Sequence, residues 1–331
     1  MLTKRQNLIE TIRGGNPDRY VNQYEFMELV RGNPYGAKYP RPAKGEPPVK
    51  NGWGVLYAFP EGVPGPFPVH TPEHIVCKDI TKWRDYVKAP SVICTPEEWE
   101  PYVKQAEAID RNEVYAAAFV APGLFEQCHY LLEIQNCLVQ MAVEPDYMHE
   151  LIEYITDWEI ELAGEIIKYL KPDALFHHDD WGSSINSFMS PEMFEEYFVP
   201  AYKRLYGFYK ANGVEIIVHH SDSYAANLVP HMIDIGIDIW QGATSSNNIP
   251  EVLAKHGGPI TIMGGIDNGI IDRADWTQEH IDSVVEDVCR QNGTKFFIPC
   301  NVMGGPEAIY PGVYEASTAA IKKANDKLFN K

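Results

Sequence analysis

Two short apolar runs in this chain stop on residues able to bind a metal ion. They are Glu215-Ile-Ile-Val-His219-His220-Ser221-Asp222 and Lys295-Phe-Phe-Ile-Pro299-Cys300-Asn301. Side chains at the carboxyl ends of the strands of a parallel α/β barrel line one mouth. Read as two such strands, these runs bring His220, Asp222 and Cys300 together from distant parts of the chain. Strand neighbours alternate sides, so His219 points away while His220 and Asp222 face one direction. An imidazole, a carboxylate and a thiolate make a three-ligand zinc set with a fourth position open for chemistry. A lone cysteine is often just a small core hydrophobe. Here the proline before it and the turn-rich Asn301-Val-Met-Gly-Gly-Pro306 after it keep the ligand reading in play.

Other polar residues gather at equivalent places. The expected first strand, Val21–Phe26, carries Tyr24-Glu25. A strand over 174–177 leads into His177-His178-Asp179-Asp180-Trp181-Gly182, and later ones into Trp240-Gln241 and Gly264-Gly265-Ile266-Asp267. Taken singly, each reads as a helix cap or a satisfied buried group, and Asp179, Asp180 and Ser223 suit the cap role. As a set they do not, because so many ionisable groups in one mouth are costly without a ligand.

The elements that must position these residues alternate regularly from residue 114 onward. Strands are expected at Val114–Val120, 174–177, Ile216–Val218, Ile237–Trp240, Ile260–Met263 and Phe296–Ile298. Helices are expected at Phe125–Ala142, from Pro145 to Leu170, from Pro191 to Phe208, at Tyr224–Met232, Pro250–Lys255, Trp276–Arg290 and Gly312–Leu328. With the first strand this makes seven, each followed by a crossover segment. No Gly-rich dinucleotide loop follows any of them, so the expectation is α/β, a (β/α)8 TIM-like barrel with one irregular strand. Residues 32–72 are rich in Pro and Gly yet hold Trp53, Tyr57, Phe59 and Phe67, which marks an ordered insertion or lid with a hairpin near Gly52-Trp53-Gly54-Val55. No linker divides the chain, so one domain over 1–331 is expected.

Composition narrows the partners. The 331 residues are 45% hydrophobic and 22% charged, with a formal net charge of −18. That acidity argues against nucleic acid and anionic membranes. No apolar run is long enough to span a bilayer. Six cysteines without a CxxC pair, and an amphipathic start without a signal-type apolar core, point to a reducing cytoplasm. The oligomeric state is open.

The sequence resembles the uroporphyrinogen decarboxylase superfamily, and within it the cobalamin-dependent methyltransferases. The resemblance is densest over 174–325 and rests on several segments together. They are Asp179-Asp180-Trp181-Gly182, Ser190-Pro191-Glu192-Met193-Phe194, Pro200-Ala-Tyr202-Lys203-Arg204-Leu205, Gly236-Ile237-Asp238-Ile239, Gly264-Gly265-Ile266-Asp267 and the closing Pro299-Cys300. It implies the (β/α)8 barrel independently. The decarboxylases carry Met-Arg-Gln-Ala-Gly-Arg-Tyr after the first strand to bind substrate carboxylates. This chain has Tyr24-Glu25-Phe26-Met27-Glu28 there, which disfavours decarboxylation of a tetrapyrrole. The methyltransferases carry His-x-Cys-Gly and a later Cys as zinc ligands. His220 and Cys300 match that pattern, whereas Asp222 replaces the first cysteine and Ser223 the glycine.

A carboxylate in place of a thiolate makes the site harder and more Lewis-acidic, which suits an oxygen ligand over sulfur. The resemblance therefore implies an O-demethylase. It would pass methyl from a methoxylated aromatic compound to the cobalt(I) of cobalamin on a partner corrinoid protein, since this chain lacks an Asp-x-His-x-x-Gly corrinoid module. Zinc lowers the pKa of water from about 15.7 to ~7, a swing of roughly 12 kcal/mol toward the oxyanion, and a phenolate at about 10 needs far less. In that reaction Glu25, His178 and Asp180 are candidates to protonate the leaving oxygen or orient the substrate. Trp53, Tyr57 and Trp181 are candidate walls of a flat pocket, while Trp240 reads as core. The alternatives are methyl transfer involving a thiol or methylamine, tetrapyrrole decarboxylation, and a non-enzymatic corrinoid-binding barrel.

Overall fold

The computed structural model describes residues 1–63, 65–303, 305 and 309–329. Its centre is a curled sheet of seven parallel strands among the described residues, taken in sequence order around the curve. They are β1 (Met27–Val30), β2 (Tyr115–Val120), β3 (Ala174–His178), β4 (Ile216–His220), β5 (Ile239–Ala243), β6 (Thr261–Ile266) and β7 (Phe297–Asn301). Helices cross between successive strands and cover the outside, so the architecture is the expected TIM-like barrel. Strands buried on both faces read as continuous apolar runs rather than alternating ones, which is why Ile216-Ile-Val and Phe297-Ile were conspicuous in the sequence.

Among the described residues no eighth strand pairs into this sheet, and the first strand lies later than expected. A strand was expected over Val21–Phe26, but those positions hold a turn in which Gln23 adopts φ 53°, and pairing begins only at Met27. The turn spans the gap to the last strand: the Gln23 N–H donates to the Pro299 carbonyl at 3.3 Å, and the Gln23 side-chain oxygen accepts from the Asn301 N–H at 3.3 Å. Glu25 therefore precedes β1 instead of ending it.

Alternation along the strands sorts two cores. On β4, Ile216 and Val218 point into the barrel with Ala174, Phe176 and Cys300 from β3 and β7, while Ile217 packs outward with Leu175 against the helices. The outer helices follow the expected spacing. Pro145–Leu170 begins on proline and buries Met148, Leu151, Ile152, Ile155, Leu162, Ile166 and Leu170. The helix expected over Phe125–Ala142 is broken in two, Leu124–Leu132 and Ile134–Val143, by Glu133 at φ 72°. A helix over Pro96–Ala108, opened by the Thr95/Glu98 capping box, was not foreseen.

The insertion carries the expected hairpin as a three-stranded antiparallel sheet of Val49–Lys50, Leu56–Ala58 and Phe67–Pro68. Its aromatic residues anchor it to the barrel's flank: Trp53 meets Trp158 at 5.0 Å and Tyr154 at 6.3 Å, and Tyr57 meets Tyr130 edge-on at 6.0 Å. Of the loop expected over Asn301–Pro306, Gly304 and Pro306 lie outside the described residues.

Candidate metal centre

The strand register builds the site. His178 at the end of β3 and His220 at the end of β4 are parallel-pair partners, and both point inward in phase with Phe176 and Val218. Their rings stack with centroids 4.4 Å apart at 24°. Asp180 lies two residues beyond His178, where the chain carries it back over the same mouth. The ligand atoms of His178, Asp180 and His220 all lie within 4.8 Å of one another, the one group of three or more such residues among those described.

Each imidazole is held by one nitrogen so that the other faces the cluster. The Nδ1 of His178 lies 3.0 Å from Glu126 Oε2, and Glu126 Oε1 in turn accepts from the Tyr130 hydroxyl at 2.9 Å. The Nδ1 of His220 bonds the side-chain oxygen of Gln241, so it is the donor, and Nε2 is left 3.9 Å from Asp180 Oδ1. Asp180 Oδ1 also accepts the Asp222 N–H at 3.1 Å. A histidine whose far nitrogen donates to a carboxylate or amide oxygen, with the near one presented as a lone pair, is the usual arrangement around a bound cation. Two imidazoles and a carboxylate are a donor set suited to zinc or another divalent first-row ion, with positions left open. The residues present therefore fit a metal.

In the bare protein burial and neighbouring charges shift the four groups in different directions. Burial opposes a proton on His178, but Glu126 outweighs it and holds that group up at about 10. Burial, with the His178 charge adding to it, pushes His220 down to about 4. Burial raises Asp180 to about 6, against the pull of His178, and raises Asp222 to about 6, with Asp180 adding to it.

His178 and His220 of the triad line a cavity of about 880 Å³. One side is apolar: Phe119 and Phe176 stack at 5.7 Å and 26°, Phe176 leans on His220 at 6.1 Å, and Met27, Leu29 and Met303 continue the surface. Tyr24, which meets Phe176 at 6.1 Å, Tyr314, Asp222, Glu28 and Arg31 also line it.

Several expectations need correcting. The anticipated triple of His220, Asp222 and Cys300 does not assemble. Cys300 sits on β7, three strands around the barrel from β4, and its sulfur is fully buried 3.2 Å from the Asn301 carbonyl and 4.0 Å from Gln23 Oε1. Burial pushes its thiol well above the ordinary range. Gln241, between the two strands, takes the bond to His220. Asp222 lines the cavity and touches the triad through its backbone. Glu25 faces away: its carboxylate accepts the Asn22 N–H at 3.0 Å and lies 3.9 Å from Arg19. Trp53, Tyr57 and Trp181 are buried in the core and line no part of this cavity. Trp181 stacks on His219 at 3.9 Å and donates to Asp179, where a large ring gains more from packing than from exposure. His178 and Asp180, expected to serve the leaving group, are instead members of the metal-capable group. Glu126 was missed, because a carboxylate in the first turn of a helix reads as a dipole partner.

A TIM-like barrel with a two-histidine, one-carboxylate centre at the strand ends defines a class rather than a protein. The family model for uroporphyrinogen decarboxylase (URO-D) matches residues 72–302, and the chain belongs to that family. No curated protein matches the chain. Among solved structures it is similar to a methyltransferase from Methanosarcina mazei, at 12% identity over 99% of each chain with a TM-score of 0.66. A putative fructose-1,6-biphosphate aldolase from Coccidioides immitis also matches, at 12% identity over 70% of this chain and 71% of that one, with a TM-score of 0.33. No described helix is long and apolar enough to cross a membrane.

Proposed function

We propose that this chain is a metal-dependent methyltransferase that moves a methyl group from a methoxylated aromatic compound to the cobalt(I) corrinoid of a partner protein. The metal ligands are His178, Asp180 and His220, which replace the His220, Asp222 and Cys300 set expected from sequence. The observation that carries the reading is the pairing of that donor group with the Phe119–Phe176 wall, which begins at His220 and runs outward along the cavity. A ring stacked along that wall presents its ether substituent to the triad. The similarity to the Methanosarcina mazei methyltransferase is consistent with this choice.

Bound at the triad, a divalent cation supplies Lewis acidity toward the departing oxygen. The chain's own residues do the rest. Glu126 and Gln241 hold the two imidazoles by Nδ1, so Nε2 of each is the nitrogen a cation would take, displacing the proton from His178. Phe119 and Phe176 orient the ring and exclude water from its face. Transfer would break the methyl–oxygen bond with its electron pair leaving on the oxygen, and the partner's corrinoid would supply the cobalt(I) electron pair for the new bond to carbon. Asp222, lining the same cavity beside the triad, would hold or return the proton that the phenolate takes up.

Decarboxylation of a tetrapyrrole fits less well. Such a substrate needs several cationic partners, and the described lining sets Glu28 and Asp222 against Arg31. The test is an assay with cobalt(I) cobalamin, zinc-loaded protein and a panel of methyl ethers, amines and thioethers, read by methyl-corrinoid absorbance. Transfer from methoxyarenes supports the reading. Transfer only from amines or thioethers, or from methoxyarenes with metal-free protein, refutes it.

A further inference from the structure

The carboxylate that holds His178 is itself held by an arrangement outside the triad. Glu126 sits in the first turn of the helix Leu124–Leu132, which follows Gly123. The first amides of a helix have no partners within it, and here they are satisfied from the end of β3. The Gly123 N–H donates to the His178 carbonyl at 2.7 Å. Asp179, fully buried, accepts from the Phe125 N–H at 2.9 Å and the Glu126 N–H at 2.7 Å. It also accepts from Trp181 Nε1 at 3.0 Å and from the Tyr202 hydroxyl. Glu126 then reaches back to His178, the residue before Asp179. A Cβ on Gly123 would lie 2.4 Å from that of Asp179, so the approach depends on glycine there.

We propose that Asp179 is a positioning residue: it docks the helix start at Leu124 onto the end of β3 so that Glu126 meets His178 and aims its Nε2 at the metal. This rests on the metal reading of the triad. Asp179 touches neither metal nor substrate. Its side chain lies on the outer face of the strand line, where it serves as the cap that Gly123, having no side chain, cannot provide. Partners of metal-bound histidines typically change metal affinity 10–100-fold when removed. Asp179 acts one link further out, so its loss should reach about tenfold.

The test uses the full chain with Zn2+ and Co2+ as probes. Asp179→Asn keeps the shape but places an amide N–H2 against donors. It should weaken Zn2+ binding by about tenfold and shift the visible bands of bound Co2+. In a double-mutant cycle it should add nothing to Glu126→Gln, because both act through one bond. A merely structural role would lower thermal stability and leave the Co2+ spectrum and the affinity of the folded fraction unchanged, which would overturn the proposal, as would additive losses. If Asp179→Asn does not fold, Tyr202→Phe, which removes one of the four donors, takes its place in the same cycle. If the unaltered chain binds neither ion, the metal reading falls on its own account. The positioning claim is then judged by a crystal structure of the metal-free variant. Glu126 should have moved out of hydrogen-bond reach of His178, and an unchanged pair would refute it.

Discussion

The coupling between His178 and Glu126 makes a quantitative prediction for the metal-free protein. Glu126 holds His178 at about 10 instead of the usual 6.5 despite burial. At ~1.4 kcal/mol per pH unit this corresponds to an upper limit of about 5 kcal/mol. The side chain is 30% exposed, and solvent screening reduces the figure to about 2–3 kcal/mol. Because the folded value is raised, the stabilisation is fully present below pH 6.5 and is lost as pH climbs through about 10. Glu126→Gln removes the carboxylate and leaves the burial, so His178 should then release its proton near or below its usual value. Urea unfolding of both metal-free proteins between pH 6 and 10 should give curves whose separation is about 2–3 kcal/mol at the acidic end and closes at the alkaline end. A separation that does not change with pH, or a His178 ring resonance titrating near 6.5 in the unaltered protein, would show that the pair carries no such charge.

Three further outcomes follow from the same geometry. Cys300→Ser should leave Zn2+ affinity within a few-fold, whereas His220→Ala should abolish stoichiometric binding in equilibrium dialysis; the reverse ranking restores the sulfur site. Gln241→Leu, which frees His220 to rotate, should weaken Zn2+ binding about 10–100-fold in a chelator competition. Phe119→Ala should raise KM for a methoxyarene by about 2–10-fold with kcat little changed, because the stacking contact of about 0.5–1.5 kcal/mol is made equally before and during transfer. A fall in kcat alone would place Phe119 elsewhere in the reaction.

Much of the barrel was legible because parallel strands buried on both faces announce themselves as apolar runs, and because helices announce themselves by spacing and by proline at their starts. The first strand was misplaced by a few residues because Gln23 leaves the extended region, and Asn22 alone is a weak turn signal in Val21-Asn22-Gln23-Tyr24. The alternation argument correctly separated His219 from His220: His219 bonds the Tyr206 hydroxyl and the Asp179 carbonyl outside the barrel, while His220 faces the mouth. The same argument was available for His178 and Asp180, two residues apart at the next strand end, yet register between strands is not written locally. Only the pairing of His178 with His220 reveals that their rings stack. The cap reading of Asp179 holds, and the helix it caps is the one that follows β2, a pairing that only the fold reveals.

The substitution of Asp222 for a thiolate first suggested a hard centre, and the group of His178, Asp180 and His220 would give one by a different route. With sulfur absent from the assembled group, two neutral imidazoles and one carboxylate would leave a divalent ion with net positive charge, where two thiolates would neutralise it. Such a centre polarises an oxygen more than it binds a sulfur. Of the neighbouring carboxylates, Glu126 is held against His178 and Asp222 lines the cavity beside the triad. An ether substrate asks for a Lewis acid that stabilises a departing oxyanion, an apolar wall for a flat ring, and a nearby acid of intermediate strength. On the proposed reading a metal held by the triad would serve the first need, the Phe119–Phe176 face the second and Asp222, lining the same cavity, the third, whereas a thioether donor would gain little from that donor set.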